Sequence, residues 1–325
     1  MSGYEYKSRL SSLIEQFIEL KQAVGFPYGS SARILHCLDK FIAERHPEET
    51  MLTKEICAAW TMRKEKEHPN GLLRRVTPVR QFGKYLRGLG YDAYIIPGHI
   101  PNKQIRYVSH IYSQRELKVF FSSVDTCKYS PFSPTRCYVI PVIFRLIYCC
   151  GLRSSEARLL LVDDVDLATG KIMIRESKGW KSRVIYMSND LLAVCREYDS
   201  VIRAILHVRE AFFPNKQGKC FNCSMMDYWF HQFWDHLPEA KEVSGNPARI
   251  HAFRHTYAVD RLNKWVREGC VVNALYPYLS EYMGHVNYAN TDYYLLLVDE
   301  FYPDMERMML SLNNDILPEV YYEEE

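Results

Sequence analysis

Apolar positions over the first ninety residues recur with the helical period of about 3.6 residues. Leu10, Leu13, Ile14 and Phe17 fall at i, i+3, i+4 and i+7 and predict a first helix. Ile34, Leu35, Leu38, Phe41 and Ile42 predict a second, capped by Ser30 or Ser31 and ending before Pro47. A third is expected to begin near Thr53, whose hydroxyl can accept a backbone N–H, with Ile56, Trp60 and Met62 facing inward. LLRRVTPVRQFGKYLRGLG predicts a fourth, closing at Gly88 and Gly90. Residues 91–111 lose the period and hold Pro97, Gly98, Pro101 and Asn102, the composition of an interdomain linker. SQRE, residues 113–116, is a capping box that opens the next helix. Cys149 and Cys150 close an apolar helix and are expected in the core. Residues 162–188 read as three short strands, with turns at Ala168-Thr169-Gly170 and near Lys178-Gly179-Trp180. Helical periodicity then resumes. The expectation is a mostly α protein with a small antiparallel β-sheet, divided into a helical domain over 1–106, with a linker from about 91, and an α+β domain over 107–325.

Composition narrows the class. A hydrophobic share of 47% and a charged share of 25% are those of a soluble globular chain. The opening MSGYEYKSRL carries no apolar leader, and the ten cysteines therefore point to a reducing cytoplasm rather than a disulfide framework. The most apolar run, residues 138–152, is broken by Pro141 and Arg145 and is too short for a bilayer, so no membrane role is expected. Charge is unevenly spread. Residues 1–106 carry 17 Lys+Arg against 11 Asp+Glu, residues 107–294 carry 23 against 19, and residues 295–325 carry 1 against 9. A basic body with an acidic tail suits a polyanionic partner. On the fourth helix Arg80, Lys84 and Arg87 share one face at i, i+4 and i+7, a stripe that fits DNA phosphates. Cys220, Cys223, His231 and His236 raise zinc, but the seven residues between Cys223 and His231 fall short of the usual gap of about 12. They read instead as part of an aromatic helix with Trp229, Phe230, Phe233 and Trp234, and no metal is expected.

Three further clusters carry chemistry. In GLRSSE, residues 151–156, Gly151 can end one helix and Ser154 or Ser155 can cap the next, which places Arg153 at a junction rich in backbone N–H groups. In HAFRH, residues 251–255, His251 and Arg254 share a helical face. In the third, Gly284-His285 is followed nine residues later by Tyr294. Lys178 lies in the hairpin turn between the first two clusters, where a long side chain can reach over a neighbouring site. No carboxylate cluster for a divalent metal and no Gly-rich nucleotide loop is evident. Two guanidinium forks can grip both non-bridging oxygens of one phosphodiester and match the charge that develops as phosphorus becomes five-coordinate. A tyrosine is an oxygen nucleophile once its proton is drawn off, and a lysine can protonate the departing alkoxide.

GLRSSE, Lys178, HAFRH and Gly284-His285 with Tyr294, in this order, resemble the tyrosine recombinases, the integrase group that includes Xer-like and Cre-like enzymes. The resemblance covers most of the chain and implies a helical core-binding domain, then a catalytic domain, the two clamping double-stranded DNA. It casts Arg153 and Arg254 as the phosphate clamp, Lys178 as general acid, His251 and His285 as hydrogen-bonding and proton-handling groups, Tyr294 as nucleophile and Glu156 as a supporting acid. On a helix Tyr293 would point about 100° away from Tyr294, and Tyr288 lies too near His285 in sequence. The resemblance further implies a 3′-phosphotyrosine intermediate, no cofactor, and a homotetramer on DNA, alone or with related recombinases. The role it favours is integration or transposition of a bacterial mobile element. Alternatives are a Xer-type dimer resolvase, a type IB topoisomerase, or a DNA-binding accessory protein without cleavage activity. The 31 residues from Arg254 to His285 exceed the Xer-like spacing, which points to a surface insertion near VREGCVVNALYPYLS. MERMMLSL, residues 305–312, fits an amphipathic segment docking on a neighbouring protomer or back on its own domain.

Overall fold

Four helices build the first of two compact units, Met1–Tyr107 and Val108–Glu325, into which the chain divides. The computed structural model describes residues 4–100, 109–177, 181–243 and 247–285. In the first unit, α1 (Ser11–Ala23), α2 (Gly29–Arg45), α3 (Lys54–Thr61) and α4 (Pro69–Gly88) turn their apolar stripes onto one core. Leu10, Ile14, Leu35, Leu38, Ile42, Ile56, Val76 and Phe82 are fully buried there, each such side chain contributing about 1.5–3 kcal/mol. Thr53 caps α3 as expected, its Oγ1 accepting the Ile56 N–H at 3.3 Å.

Three expectations for this unit are corrected. Neither Ser30 nor Ser31 caps α2: the chain enters through left-handed Tyr28 (φ 53), whose carbonyl already accepts the Ala32 N–H at 2.8 Å, so both serines lie inside the first turn. Met62 is 72% exposed because α3 stops at Thr61 and the chain turns extended. The linker does not begin at residue 91. Ala93 and Ile96 are buried in the first core, and the Tyr94 N–H donates to the Leu52 carbonyl at 2.7 Å. Gly83 permits this approach, since a Cβ there would lie 2.8 Å from the Tyr94 carbonyl oxygen.

The second unit opens with α5 (Gln114–Asp125) under a complete capping box, Ser113 Oγ accepting from the Glu116 N–H at 3.2 Å and Glu116 from the Ser113 N–H at 2.7 Å. Next come α6 (Arg136–Cys149), α7 (Ser154–Arg158) and a 3-10 turn at Val162–Asp164. Strands β1 (Val165–Asp166), β2 (Lys171–Ser177) and β3 (Lys181–Tyr186) form an antiparallel sheet in the order β1-β2-β3. Ile172 pairs with Ile185 and Ile174 with Arg183, and the register shifts before Ser177 meets Lys181. Helices α8 (Asn189–Ile205), α9 (Cys223–Trp234), α10 (Pro238–Glu242), α11 (Ala252–Arg267) and α12 (Val272–Met283) complete it. The mostly α architecture with one small antiparallel sheet is therefore the observed one.

The main core of this unit joins α5, α6, the inward face of β2 and β3, α8, α9 and the first turn of α11. A smaller one, Tyr257, Ala258, Val259, Leu262, Leu279 and Met283, seals α11 against α12. Cys150 is buried, but Cys149 is exposed, against expectation. It lies about 200° around α6 from buried Ile147, off the stripe that Ile143 and Ile147 define. Helix α9 buries Trp229, Phe230, Phe233 and Trp234. Among the described residues no group of three His, Cys, Asp or Glu side chains is placed to hold a metal ion, and no helix is long and apolar enough to cross a membrane.

Candidate active site

Just past the end of α6, Gly151 takes a φ of +59 and turns the chain sharply toward α7. A Cβ at Gly151 would fall 2.5 Å from Tyr257 Cδ1, so the turn requires glycine both for its dihedral and for space. Arg153, not Ser154 or Ser155, occupies the N-cap position of α7. The orphan N–H of Arg153 is taken by the Glu156 carboxylate at 2.9 Å, which removes the need for a serine cap. One short helix therefore presents a guanidinium and a carboxylate side by side.

Glu156 gathers charge from three elements. Arg153 Nη1 donates to its Oε1 at 2.5 Å. Arg183, from β3, donates Nη1 and Nη2 to Oε1 and Oε2, each at 2.9 Å, as a two-toothed fork. Arg254, in the first turn of α11 and 1% exposed, stands 3.9 Å from Oε2. Burial by itself would raise the Glu156 carboxyl, but the hydrogen bonds and charge of Arg183, joined by those of Arg153, outweigh it and hold the group at about 2.

The same three arginines also end on one helix terminus. Arg183 Nε donates to the Tyr282 carbonyl at 2.7 Å, Arg254 Nη2 to the Met283 carbonyl, and Arg153 Nη2 to the Gly284 carbonyl at 2.9 Å. These three successive carbonyls close α12, where the last turn lacks intrahelical donors and the helix dipole is negative. Arg254 Nη1 additionally takes the Gly151 carbonyl at 2.6 Å, so it bridges the carboxyl ends of α6 and α12. Gly284 is left-handed at φ 65 and ψ 47, and His285 follows it with its N–H on the Ser280 carbonyl at 3.0 Å. Three guanidinium charges against one carboxylate leave a local surplus of positive charge, the field an anion needs.

The histidines sit within this field. Burial, reinforced by the charges of Arg254, Arg153 and Arg183, pushes the His285 imidazole down to about 3. His255 is pushed to about 3 as well, by burial and then by His251, Arg254 and His285. Both are neutral at pH 7, each with one nitrogen that donates and one that accepts. His251 is exposed at the N-cap of α11, its ring 4.9 Å from that of His255 and perpendicular to it. The arrangement can hold an oxyanion on Arg153, whose side chain keeps 18% exposure, while neutral imidazoles exchange protons beside it.

The structure thus places Arg153, Glu156, His251, Arg254 and His285 in one neighbourhood. Lys178 and Tyr294 lie outside the described residues, as do Tyr288, Tyr293 and the tail over 295–325. Arg80, Lys84 and Arg87 all lie on α4 of the first unit but do not form a stripe of free cations. Arg80 Nε donates to the Ile96 carbonyl at 2.9 Å and its Nη2 to the carbonyls of Pro97 and Ile100. Arg87 Nε donates to the Ala93 carbonyl at 2.7 Å, and its Nη2 lies 3.4 Å from Asp92. Both arginines clip the segment after α4 to the helix, and Lys84 remains exposed. Arg183 was not among the residues expected at the site. Its signal is in KSRVIY: by strand alternation Arg183 shares the inward parity of Ile185, and a charge at an inward position demands a buried partner.

Comparison with known proteins agrees with this geometry. The profile of the phage integrase family matches residues 124–300, more than half of the chain. A Sinorhizobium fredii protein named "Putative integrase/recombinase y4rB" is 27% identical over 298 residues, covering 89% of this chain and 93% of its own. Among solved structures, the XerH site-specific recombinase in a post-cleavage complex with palindromic difH substrate aligns with a TM-score of 0.59 at 15% identity, covering 93% of this chain and 84% of that one. Lambda integrase (75–356), as a dimer on a COC′ core site, aligns with a TM-score of 0.60 at 14% identity over 87% of this chain and 94% of its own. The tetramer of lambda integrase on a Holliday junction aligns at 0.57 and 14% identity over 86% and 74%. Family match, fold and ordered motif residues converge: the chain belongs to the phage integrase family, the tyrosine recombinases.

Proposed function

We infer that this chain is a site-specific DNA recombinase that cuts and rejoins strands through a 3′-phosphotyrosine at Tyr294. The observation that carries the reading is the collection of Arg153 and Arg254 around Glu156 at the carboxyl end of α12, with His285 following that terminus in the field of both arginines. In this reading Arg153 and Arg254 take the non-bridging oxygens of the scissile phosphate, and His251 and His285 hydrogen-bond it. The Tyr294 oxygen attacks phosphorus as its proton leaves, the 5′-oxygen departs, and Lys178, next in sequence after the last residue of β2, protonates it. The covalent link keeps the bond energy, so rejoining needs no nucleotide, and no step calls on a metal. Four copies working on two duplexes in the cytoplasm, in the service of a bacterial mobile element, complete the proposal. Double-stranded DNA is the partner, with no membrane involved.

The test is covalent capture. The full chain is incubated in EDTA with sheared DNA from its own source, denatured, and protein-bound DNA is recovered and sequenced. Wild type and Tyr293→Phe should retain DNA and Tyr294→Phe should not. Capture abolished by EDTA would contradict the mechanism. Captured ends at a replication-terminus or plasmid-resolution site, rather than at mobile-element borders, would replace the integrase role with dimer resolution.

A further inference from the structure

The contacts of Arg183 close a ring. Its fork holds Glu156, Glu156 holds Arg153, Arg153 holds the Gly284 carbonyl, and two residues back along the chain the Tyr282 carbonyl holds Arg183 again. Three elements meet in this ring: β3, α7 and the carboxyl end of α12. Every donor of Arg183 that engages it is matched to one acceptor, on Glu156 Oε1, Glu156 Oε2 or Tyr282. The side chain is 7% exposed, against 18% for Arg153. Gly284 is built to the same geometry, since a Cβ there would stand 2.9 Å from Arg183 Nη1 and 3.2 Å from Cζ.

We propose that Arg183 is the positioning residue of this site, fixing Glu156, and through it Arg153, against α12 so that an oxyanion meets Arg153 and His285 in register. Without the fork, the Glu156 carboxylate has only Arg153 and the more distant Arg254 to hold it and can draw the Arg153 guanidinium away from solvent. The local positive surplus would also fall. A lysine at 183 keeps the charge but offers a single ammonium where three acceptors on two elements are waiting. The inference rests on the recombinase reading for its natural substrate and on geometry alone for the ring.

A buried arginine elsewhere in the same unit supplies the comparison. Arg209 pairs with Asp199 and donates to the Phe212 carbonyl at 2.9 Å, with 4% side-chain exposure and, among the described residues, no contact to those of the site. Full-length wild type, Arg183→Lys, Arg209→Lys and Gly284→Ala are titrated with inorganic phosphate, followed by NMR on the His285 ring, and their covalent DNA capture is timed. Both lysine variants should lose similar thermal stability. Arg183→Lys should bind phosphate about tenfold more weakly than wild type, and Arg209→Lys within about twofold of it. Gly284→Ala retains Arg183 but drives a methyl group into its guanidinium, and should weaken phosphate in the same way. Capture by Arg183→Lys should slow further than its stability loss explains. Phosphate binding by Arg183→Lys within twofold of wild type would overturn the proposal, as would a wild type that shows no phosphate binding. If wild type captures no DNA yet the phosphate difference holds, the recombinase reading fails and the positioning role stands.

Discussion

Replacing Glu156 with glutamine leaves the shape of the site and removes the one carboxylate among three guanidinium groups. Arg183, 7% exposed, would lose the anionic half of its fork, and Arg254, 1% exposed, would lose its nearest negative charge. A carboxyl held at about 2 rather than 4.5 prefers its charged form in the folded state by about 3 kcal/mol. Removing one partner of a buried ion pair costs a similar amount, about 3–5 kcal/mol. Glu156→Gln should therefore destabilise the second unit by about 3 kcal/mol at pH 7, or lower its melting temperature by roughly 6–12 °C for a unit of this size. The pH dependence has a fixed sign. A carboxyl whose folded value is depressed adds stability above its ordinary value and loses it as pH falls through the folded one. The gap between wild type and Glu156→Gln should be complete above pH 4.5 and close as pH falls toward 2. Urea unfolding of both proteins across that range measures it. A gap under about 0.5 kcal/mol at pH 7, or one that does not narrow in acid, would refute the claim that Glu156 is the charge centre of the site.

Three other expectations follow from the same structure. His285 and His255 are both pushed down to about 3, so their ionisation costs the folded state nothing above pH 6.5 and opposes it increasingly as pH falls from 6.5 toward 3. His285→Asn should accordingly flatten the loss of stability between those values, read by urea unfolding at stepped pH. Gly151→Ala demands a left-handed alanine with its methyl inside the Tyr257 ring, and should cost more than about 2 kcal/mol in calorimetry of the second unit. Thr53→Ala removes the α3 cap and should cost the first unit about 1 kcal/mol while leaving the rate of DNA capture per folded molecule unchanged.

What the sequence disclosed was mostly local. The capping box at Ser113 and Glu116, the Thr53 cap, the left-handed turn at Gly151 and the β2–β3 hairpin each depend on residues a few positions apart, and each is present. The site was legible because GLRSSE, HAFRH and Gly284-His285 stand in the order that the tyrosine recombinases show, and it was this resemblance that implied one site for Arg153, His251, Arg254 and His285. What stayed hidden depended on distant partners. Arg80 looks like a free surface cation until the chain returns sixteen residues later and offers the carbonyls of Ile96, Pro97 and Ile100. The buried Ala93 and Ile96 hide in a stretch with no periodicity because they pack without forming an element. The serines of GLRSSE are good caps in isolation, but Glu156 reaches back first. Arg183 was masked for a related reason: its role exists only where β3, α7 and α12 meet, and no single segment contains that meeting.

The central claim is that this cluster delivers a DNA phosphate to Tyr294. It is tested most directly by digesting a trapped protein–DNA complex with nuclease and protease and locating the residual nucleotide by mass spectrometry. The account predicts a nucleotide 3′-phosphate on Tyr294, with no adduct on Tyr293 or Tyr288 and none formed by Arg153→Ala. An adduct on another residue, or cleaved DNA with no protein-linked nucleotide, would contradict it.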